Sequence, residues 1–200
     1  MDTRDPLVTA EWLKENINSP DVRLVDATWF RPSDDAEKTG KNAYQNAHIP
    51  GAVFFDIDKI ADQNSALGHM LPDPILFSSR VRALGIGDGN RIIVYDQNNF
   101  FASARVWWML RVMGHRDVHV LDGGFAAWQA AGGPAEDLPP VAVERHFTAR
   151  VRADLVVDAN KVANLSETNT GTIIDARPAA RFTGESPEPR PELRSGHIPG

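Results

Sequence analysis

Apolar positions in the first two thirds of the chain switch between two spacings. Leu13 and Ile17 lie four apart behind Thr9, a residue that can cap a helix, so residues 9–16 predict a short helix with those side chains inward. Residues 22–27 read as a strand. A polar stretch rich in Asp, Lys and Asn runs to Tyr44, and residues 52–55 form the next apolar run. Asp73 before Pro74 is a cap followed by proline at the first helical position, and Ile75, Leu76, Val81 and Leu84 predict the inner stripe of a helix ended by Gly85. Arg91-Ile92-Ile93-Val94-Tyr95 is too apolar for a strand with one wet face. It predicts the middle of a parallel sheet covered on both sides. Residues 102–113 predict a helix with Val106, Leu110 and Met113 inward and Gly114 past its end. A strand over 118–121, a turn at Asp122-Gly123-Gly124 and a helix over 125–131 stopped by Gly132-Gly133 complete the series. Strands alternating with helices through short connections predict an α/β sheet with helices on both faces.

After Gly133 the alternation stops. Pro134, Pro139 and Pro140 forbid a continuous helix, and the pattern around Val141, Val143 and Phe147 predicts an extended segment lying against a surface. Beyond it, earlier residues return. His48-Ile49-Pro50-Gly51 recurs as His197-Ile198-Pro199-Gly200, Asp26-Ala27 as Asp175-Ala176, and Leu7-Val8 as Val156-Val157, all at one constant separation. A fixed internal period predicts a duplicated domain. The expected organisation is a first copy over residues 1–135, a linker over 136–152, and the incomplete start of a second copy over 153–200. That second copy is expected to supply a helix, one strand at 173–176 and the loop that follows.

Composition narrows the function. With 42% hydrophobic and 24% charged residues the chain resembles an ordinary soluble protein. No apolar run approaches the roughly 20 residues that span a bilayer, and the N-terminus lacks a signal-peptide layout, so no membrane association and a cytoplasmic location are expected. A net charge of −6 spread over both halves argues against a nucleic-acid surface. The absence of cysteine excludes disulfides, thiolate metal sites and thiol catalysis within these residues. His115 and His119 have the spacing of helical metal ligands but sit on a turn and a strand start, so no metal and no cofactor are expected. The glycine-rich run 85–90 precedes a strand, the wrong side for a nucleotide fingerprint. Trp107, Trp108 and Trp128 are expected to pack, and His48 and His197 to fix their loops.

Four stretches together carry a resemblance: the paired Asp-Ala and His-Ile-Pro-Gly copies, residues 48–58, Ser103-Ala-Arg-Val-Trp-Trp-Met109, and Leu121-Asp-Gly-Gly-Phe-Ala-Ala-Trp128. They resemble the tandem rhodanese family, the thiosulfate and 3-mercaptopyruvate sulfurtransferases, with the mercaptopyruvate branch nearest. The resemblance implies a duplicated rhodanese-like parallel sheet and a persulfide mechanism, in which a cysteine thiolate takes sulfur from a small donor, 3-mercaptopyruvate or thiosulfate. The sulfur then passes to cyanide or a thiol such as thioredoxin. Only a thiolate combines the nucleophilicity with a labile S–S bond. The family's cysteine lies on the loop after the central strand, and the matching place in the first copy holds Asp96, expected to accept hydrogen bonds from loop amides. The first copy is therefore expected to be non-catalytic, with the nucleophile beyond Gly200.

The same resemblance marks two pairs. Asp58 and His69 match a proposed Ser-His-Asp relay in which aspartate orients the imidazole and histidine shuttles a proton. Arg181 and Arg190 match the pair that holds the donor's carboxylate and carbonyl, work that suits the planar guanidinium. Blander readings stay open. Asp58 and His69 also fit an exposed acidic loop with a hydrogen-bonded histidine, and the arginines also fit pairing with Glu185, Glu188 or Glu192. A thiosulfate-specific enzyme and a cysteine-free binding or regulatory module stay open as well.

Overall fold

The structure, a computed structural model, describes residues 5–32, 37–98, 101–189 and 193–199. The chain divides into two units, residues 1–152 and 153–200. In the first unit β1 (Leu7–Val8), α1 (Ala10–Asn16), β2 (Val22–Asp26), α2 (Gly40–Asn46), β3 (Val53–Phe54), α3 (Ile57–Ile60), α4 (Pro74–Ala83), β4 (Arg91–Tyr95), α5 (Ser103–Val112), β5 (Val118–Leu121) and α6 (Gly124–Ala130) follow in order. The strands form one sheet, β1-β5-β4-β2-β3, and every described pairing is parallel.

The apolar run of β4 does what its composition predicts. Successive strand residues point to opposite faces, so Ile92 and Val94 enter one core with Val25, Val106, Leu110 and Phe77. Ile93 and Tyr95 enter the other with Leu13, Leu24, Phe125 and Trp128. Ile92, Ile93, Val94 and Tyr95 are all fully buried, which fixes β4 as the centre of a sheet covered on both sides. Thr9 and Asp73 cap α1 and α4 through their side-chain oxygens, as their positions predict.

The α4 stripe needs correction. Phe77 and Val81 are its buried residues, whereas Ile75 is 80% exposed. Phe77 fixes the phase because its ring is gripped between Phe55 and Phe147. Two residues from Phe77 on a 3.6-residue helix, Ile75 faces the opposite side.

The segment expected as a linker has no regular element, and its second half straps the first unit. Arg150 and Arg152 donate their amides to the carbonyls of Met113 and Val112, and Thr148 N–H donates to Asp88 Oδ1. Phe147, just before these anchors, is buried against Phe77 and His115.

In the second unit, α7 (Ala159–Thr168) and α8 (Ala179–Phe182) are present and capped by Asp158 and preceded by Pro178. The strand expected at 173–176 does not form, and Ile174 is 85% exposed. β2, which runs into the matching Asp26-Ala27 sequence, is hydrogen-bonded by β3 on one side and β4 on the other; residues 173–176 have no strand partner among the described residues. A lone strand leaves its amides and carbonyls to water, and strand geometry gives it no advantage. None of the described residues of 153–199 is buried. Limited proteolysis is therefore expected to cut first within 153–200 and to leave 1–152 intact; equal protection of both parts would contradict this.

Candidate functional site

The loop that leaves β4 is the focus of the first unit's polar groups. Asp96 is buried, and its Oδ2 accepts the amides of Ala102 and Ser103 at 3.0 and 2.8 Å, while Oδ1 faces the Asn98 amide at 3.3 Å. The carboxylate thus caps α5 from outside the helix and fills the amide cradle at its start. The expected role of Asp96 as an acceptor for loop amides is what the geometry shows. Its own carbonyl accepts the Phe125 amide at 3.0 Å. Gly124 sits there at φ 56°, where a Cβ would lie 2.4 Å from that carbonyl, so the Gly-Gly turn is required by both backbone angle and space.

From the same loop, Gln97 donates to Asp26 Oδ2 and to the Ala47 carbonyl, and Asn98 donates to the Trp29 carbonyl. These bonds tie the loop after β4 to the loop after β2. Asp26 itself is buried, and that burial raises its pKa against the opposing hydrogen bonds from Thr28 and Gln97.

Trp29, positioned in this way, reaches the candidate relay. His69 Nε2 lies 2.7 Å from Asp58 Oδ1, so the two residues named from sequence meet. The Trp29 indole N–H donates to both Asp58 oxygens, at 3.1 and 2.9 Å, and its ring stands perpendicular to the imidazole at 5.0 Å. Phe101 stacks parallel to Trp29 at 5.8 Å. His69 adopts φ 59°, and its carbonyl accepts Arg105 Nη2 at 2.5 Å. The side chains of Asp58 and His69 are 61% and 26% exposed. As an ion pair in water this contact would contribute less than about 1 kcal/mol to stability. What the contact fixes is orientation: Nε2 faces the carboxylate, and Nδ1 has no hydrogen-bond partner among the described residues. Trp29 and Arg105 carry no sequence signal of their own beyond Arg105's place in the Ser-Ala-Arg stretch.

In the second unit, Arg181 is already partnered. Its Nε donates to Glu188 Oε2 at 3.1 Å and its Nη2 at 2.5 Å, so pairing with Glu188, the reading left open by the sequence, is the arrangement observed. Arg177 bridges Glu188 and Asp175 and pulls the Asp175 pKa down to about 2. The Glu188 side chain is only 2% exposed between the two guanidinium groups. These residues, with Arg194 and His197, line a concavity of about 950 Å³. Arg190 lies outside the described residues.

The two histidines of the repeated tetrapeptide share one local arrangement. His48 Nδ1 lies 2.7 Å from the Tyr44 carbonyl with the two rings stacked at 4.0 Å; His197 Nδ1 lies 2.8 Å from the Phe182 carbonyl with the rings stacked at 3.8 Å. The aromatic partner is four residues before His48 but fifteen before His197. Equal overall spacing therefore hides loops of different layout, longer before the aromatic in the first unit and after it in the second. His115 and His119 bind backbone carbonyls, of Asn90 and Asp5. Among the described residues, no helix is long and apolar enough to cross a membrane.

The Rhodanese-like domain profile matches residues 9–131. The chain is 45% identical over 193 residues to the 3-mercaptopyruvate sulfurtransferase of Escherichia coli K12, covering 96% of this chain and 68% of that protein. It is 40% identical over 219 residues to the mitochondrial thiosulfate/3-mercaptopyruvate sulfurtransferase 1 of Arabidopsis thaliana, covering 99% of this chain and 57% of that protein. Thiosulfate sulfurtransferase of Cricetulus griseus is 37% identical over 201 residues, with 97% and 67% covered. The crystal structure of SseA from Escherichia coli, described as a 3-mercaptopyruvate sulfotransferase, superposes with a TM-score of 0.87 at 42% identity, over 98% of this chain and 73% of that one. This chain thus spans between just over half and about three quarters of the length of these relatives. A parallel sheet with both faces covered by helices, an amide-lined loop after its central strand and these matches place the chain in the rhodanese family.

Proposed function

We propose that this chain is part of a sulfurtransferase that takes sulfur from 3-mercaptopyruvate onto a cysteine lying outside these 200 residues and passes it to a thiol, such as thioredoxin, or to cyanide. The observation that carries the donor assignment is the 2.7 Å contact of His69 with Asp58, braced by Trp29. Mercaptopyruvate needs a proton moved as it loses sulfur. A thiolate attacks the donor's sulfur, the C–S bond breaks with its electron pair passing into the adjacent carbonyl as an enolate, and the proton of the donor thiol must reach the enolate carbon to give pyruvate. An imidazole with one nitrogen on a carboxylate and the other available can carry that proton. Thiosulfate gives up its sulfur with sulfite as leaving group and needs no such transfer.

Arg181 and Arg190 are proposed to hold the donor's carboxylate and carbonyl. For Arg181 this requires use of donors not spent on Glu188. Asp96 takes no covalent part, because a carboxylate cannot hold a persulfide; it keeps the first unit's loop in the shape of an anion site.

Two observations favour other readings. The identity to a thiosulfate sulfurtransferase supports that donor, and the absence of cysteine with Asp96 in the cradle supports a binding module. Rates of the protein made from its complete gene with 3-mercaptopyruvate and with thiosulfate, cyanide accepting, separate all three. The proposal expects the 200-residue chain alone to turn over neither donor. Turnover by this cysteine-free chain would refute the persulfide route.

A further inference from the structure

The Ser103-Ala104-Arg105 start of α5 belongs to a stretch the sequence singles out, yet the relay itself does not use it. Arg105 lies in the first turn of α5, two residues after Ser103, whose amide Asp96 holds, so its main chain is fixed by a capped helix start. Its guanidinium lies 4.3 Å from the centroid of the Trp108 ring and is partly buried, with Nε out of contact with water and without a hydrogen-bond partner. A planar cation held over an indole has few directions left. Among the described residues, the guanidinium's hydrogen bond runs from Nη2 to the carbonyl oxygen of His69.

That carbonyl belongs to a strained residue. His69 and Asn169 are the non-glycine residues at positive φ among those described. The left-handed region brings a Cβ too close to the following carbonyl oxygen, and such conformations persist when their surroundings over-determine them. At His69 the surroundings are the Arg105 bond on the carbonyl, the Asp58 contact on Nε2 and the Trp29 ring against the imidazole. Backbone angle sets the direction of the Cα–Cβ bond. If the carbonyl is released, the backbone relaxes to negative φ, the Cα–Cβ vector swings away, and the imidazole leaves Asp58.

We propose that Arg105 is a positioning residue for His69: its guanidinium holds the His69 carbonyl so that the left-handed backbone persists and the imidazole stays on the Asp58 carboxylate. This rests on the proposed use of His69 as the proton carrier. Arg105 touches no substrate and transfers no proton. Its effect on the reaction is carried through His69.

Four variants of the protein from its complete gene test this: Arg105→Ala, Arg105→Lys, His69→Ala and the His69→Ala/Arg105→Ala double variant. Arg105→Ala is expected to lower kcat with 3-mercaptopyruvate by roughly tenfold, leaving KM and thiosulfate turnover within about twofold, because only the proton-dependent donor uses the imidazole. Arg105→Lys keeps one charged donor and is expected to recover to within about threefold of the parent. In the His69→Ala background the arginine substitution is expected to add less than about twofold, since two residues acting through one group are not additive. An equal loss for both donors, or the same loss with His69 absent as with His69 present, overturns the proposal by making Arg105 a general structural residue. A normal His69→Ala defect beside a fully active Arg105→Ala overturns it while leaving the relay standing. An unchanged His69→Ala overturns both.

Discussion

Replacing Asp96 by alanine is expected to destabilise the first unit by about 3 kcal/mol, which for a unit of this size lowers Tm by roughly 6–12 °C. The carboxylate accepts the buried amides of Ala102 and Ser103 and approaches that of Asn98, and Ala102, the residue before α5, supplies no side-chain cap of its own. Without the acceptor, two N–H groups at the positive end of a ten-residue helix lose their partners at a buried position. Each such group costs about 1–3 kcal/mol, and the loss of favourable charge at the helix start adds some tenths more. Asp96→Asn keeps one carbonyl oxygen and is expected to lose about 1 kcal/mol. Urea unfolding followed through tryptophan fluorescence measures both. A loss below about 1 kcal/mol for alanine would show that the amides find water instead, and that the loop is not a closed cradle.

Replacing His69 by alanine in the protein from its complete gene is expected to lower kcat/KM for 3-mercaptopyruvate by about 100-fold, or roughly 2.7 kcal/mol of transition-state stabilisation. Thiosulfate turnover is expected to stay within about threefold, because sulfite departs without a proton being delivered to carbon. Asp58→Asn is expected to cost only about tenfold, since Asp58 is largely exposed and orients the imidazole together with the Trp29 ring. Parallel steady-state assays of pyruvate and thiocyanate formation check the split. Equal loss with both donors would assign His69 to folding of the loop and not to the reaction.

The sheet was legible wherever burial was two-sided. Arg91-Ile92-Ile93-Val94-Tyr95 has no polar side to present, and only a central strand of a parallel sheet accepts such a run. Capping residues were equally plain, because Thr9 and Asp73 act on amides two or three positions away. Asp58 with His69 was readable only through a family resemblance. Their contact is made by a loop that folds back over eleven positions, a distance at which residue spacing carries no geometric meaning.

What escaped the sequence depended on partners far along the chain. The face of α4 is set by Phe147 in the strap, some seventy residues away, so the local stripe pointed to Ile75. Trp29 stands beside Asp58 and His69 with its carbonyl held by Asn98, some seventy residues further along the chain. The strand at 173–176 was read from its match to β2 in the repeat; a sequence match can favour a strand, but hydrogen bonds to neighbours are needed to make one. The constant spacing of the repeat also concealed that Tyr44 and Phe182 stack on their histidines from different distances along the chain.

The most direct test of the functional account is the ratio of kcat/KM for 3-mercaptopyruvate to that for thiosulfate, measured with cyanide as acceptor on the protein from its complete gene. The account expects mercaptopyruvate to be preferred by at least about tenfold, because a proton carrier worth about 100-fold serves this donor alone. A preference for thiosulfate would contradict it, and would leave the Asp58–His69 contact as a loop brace.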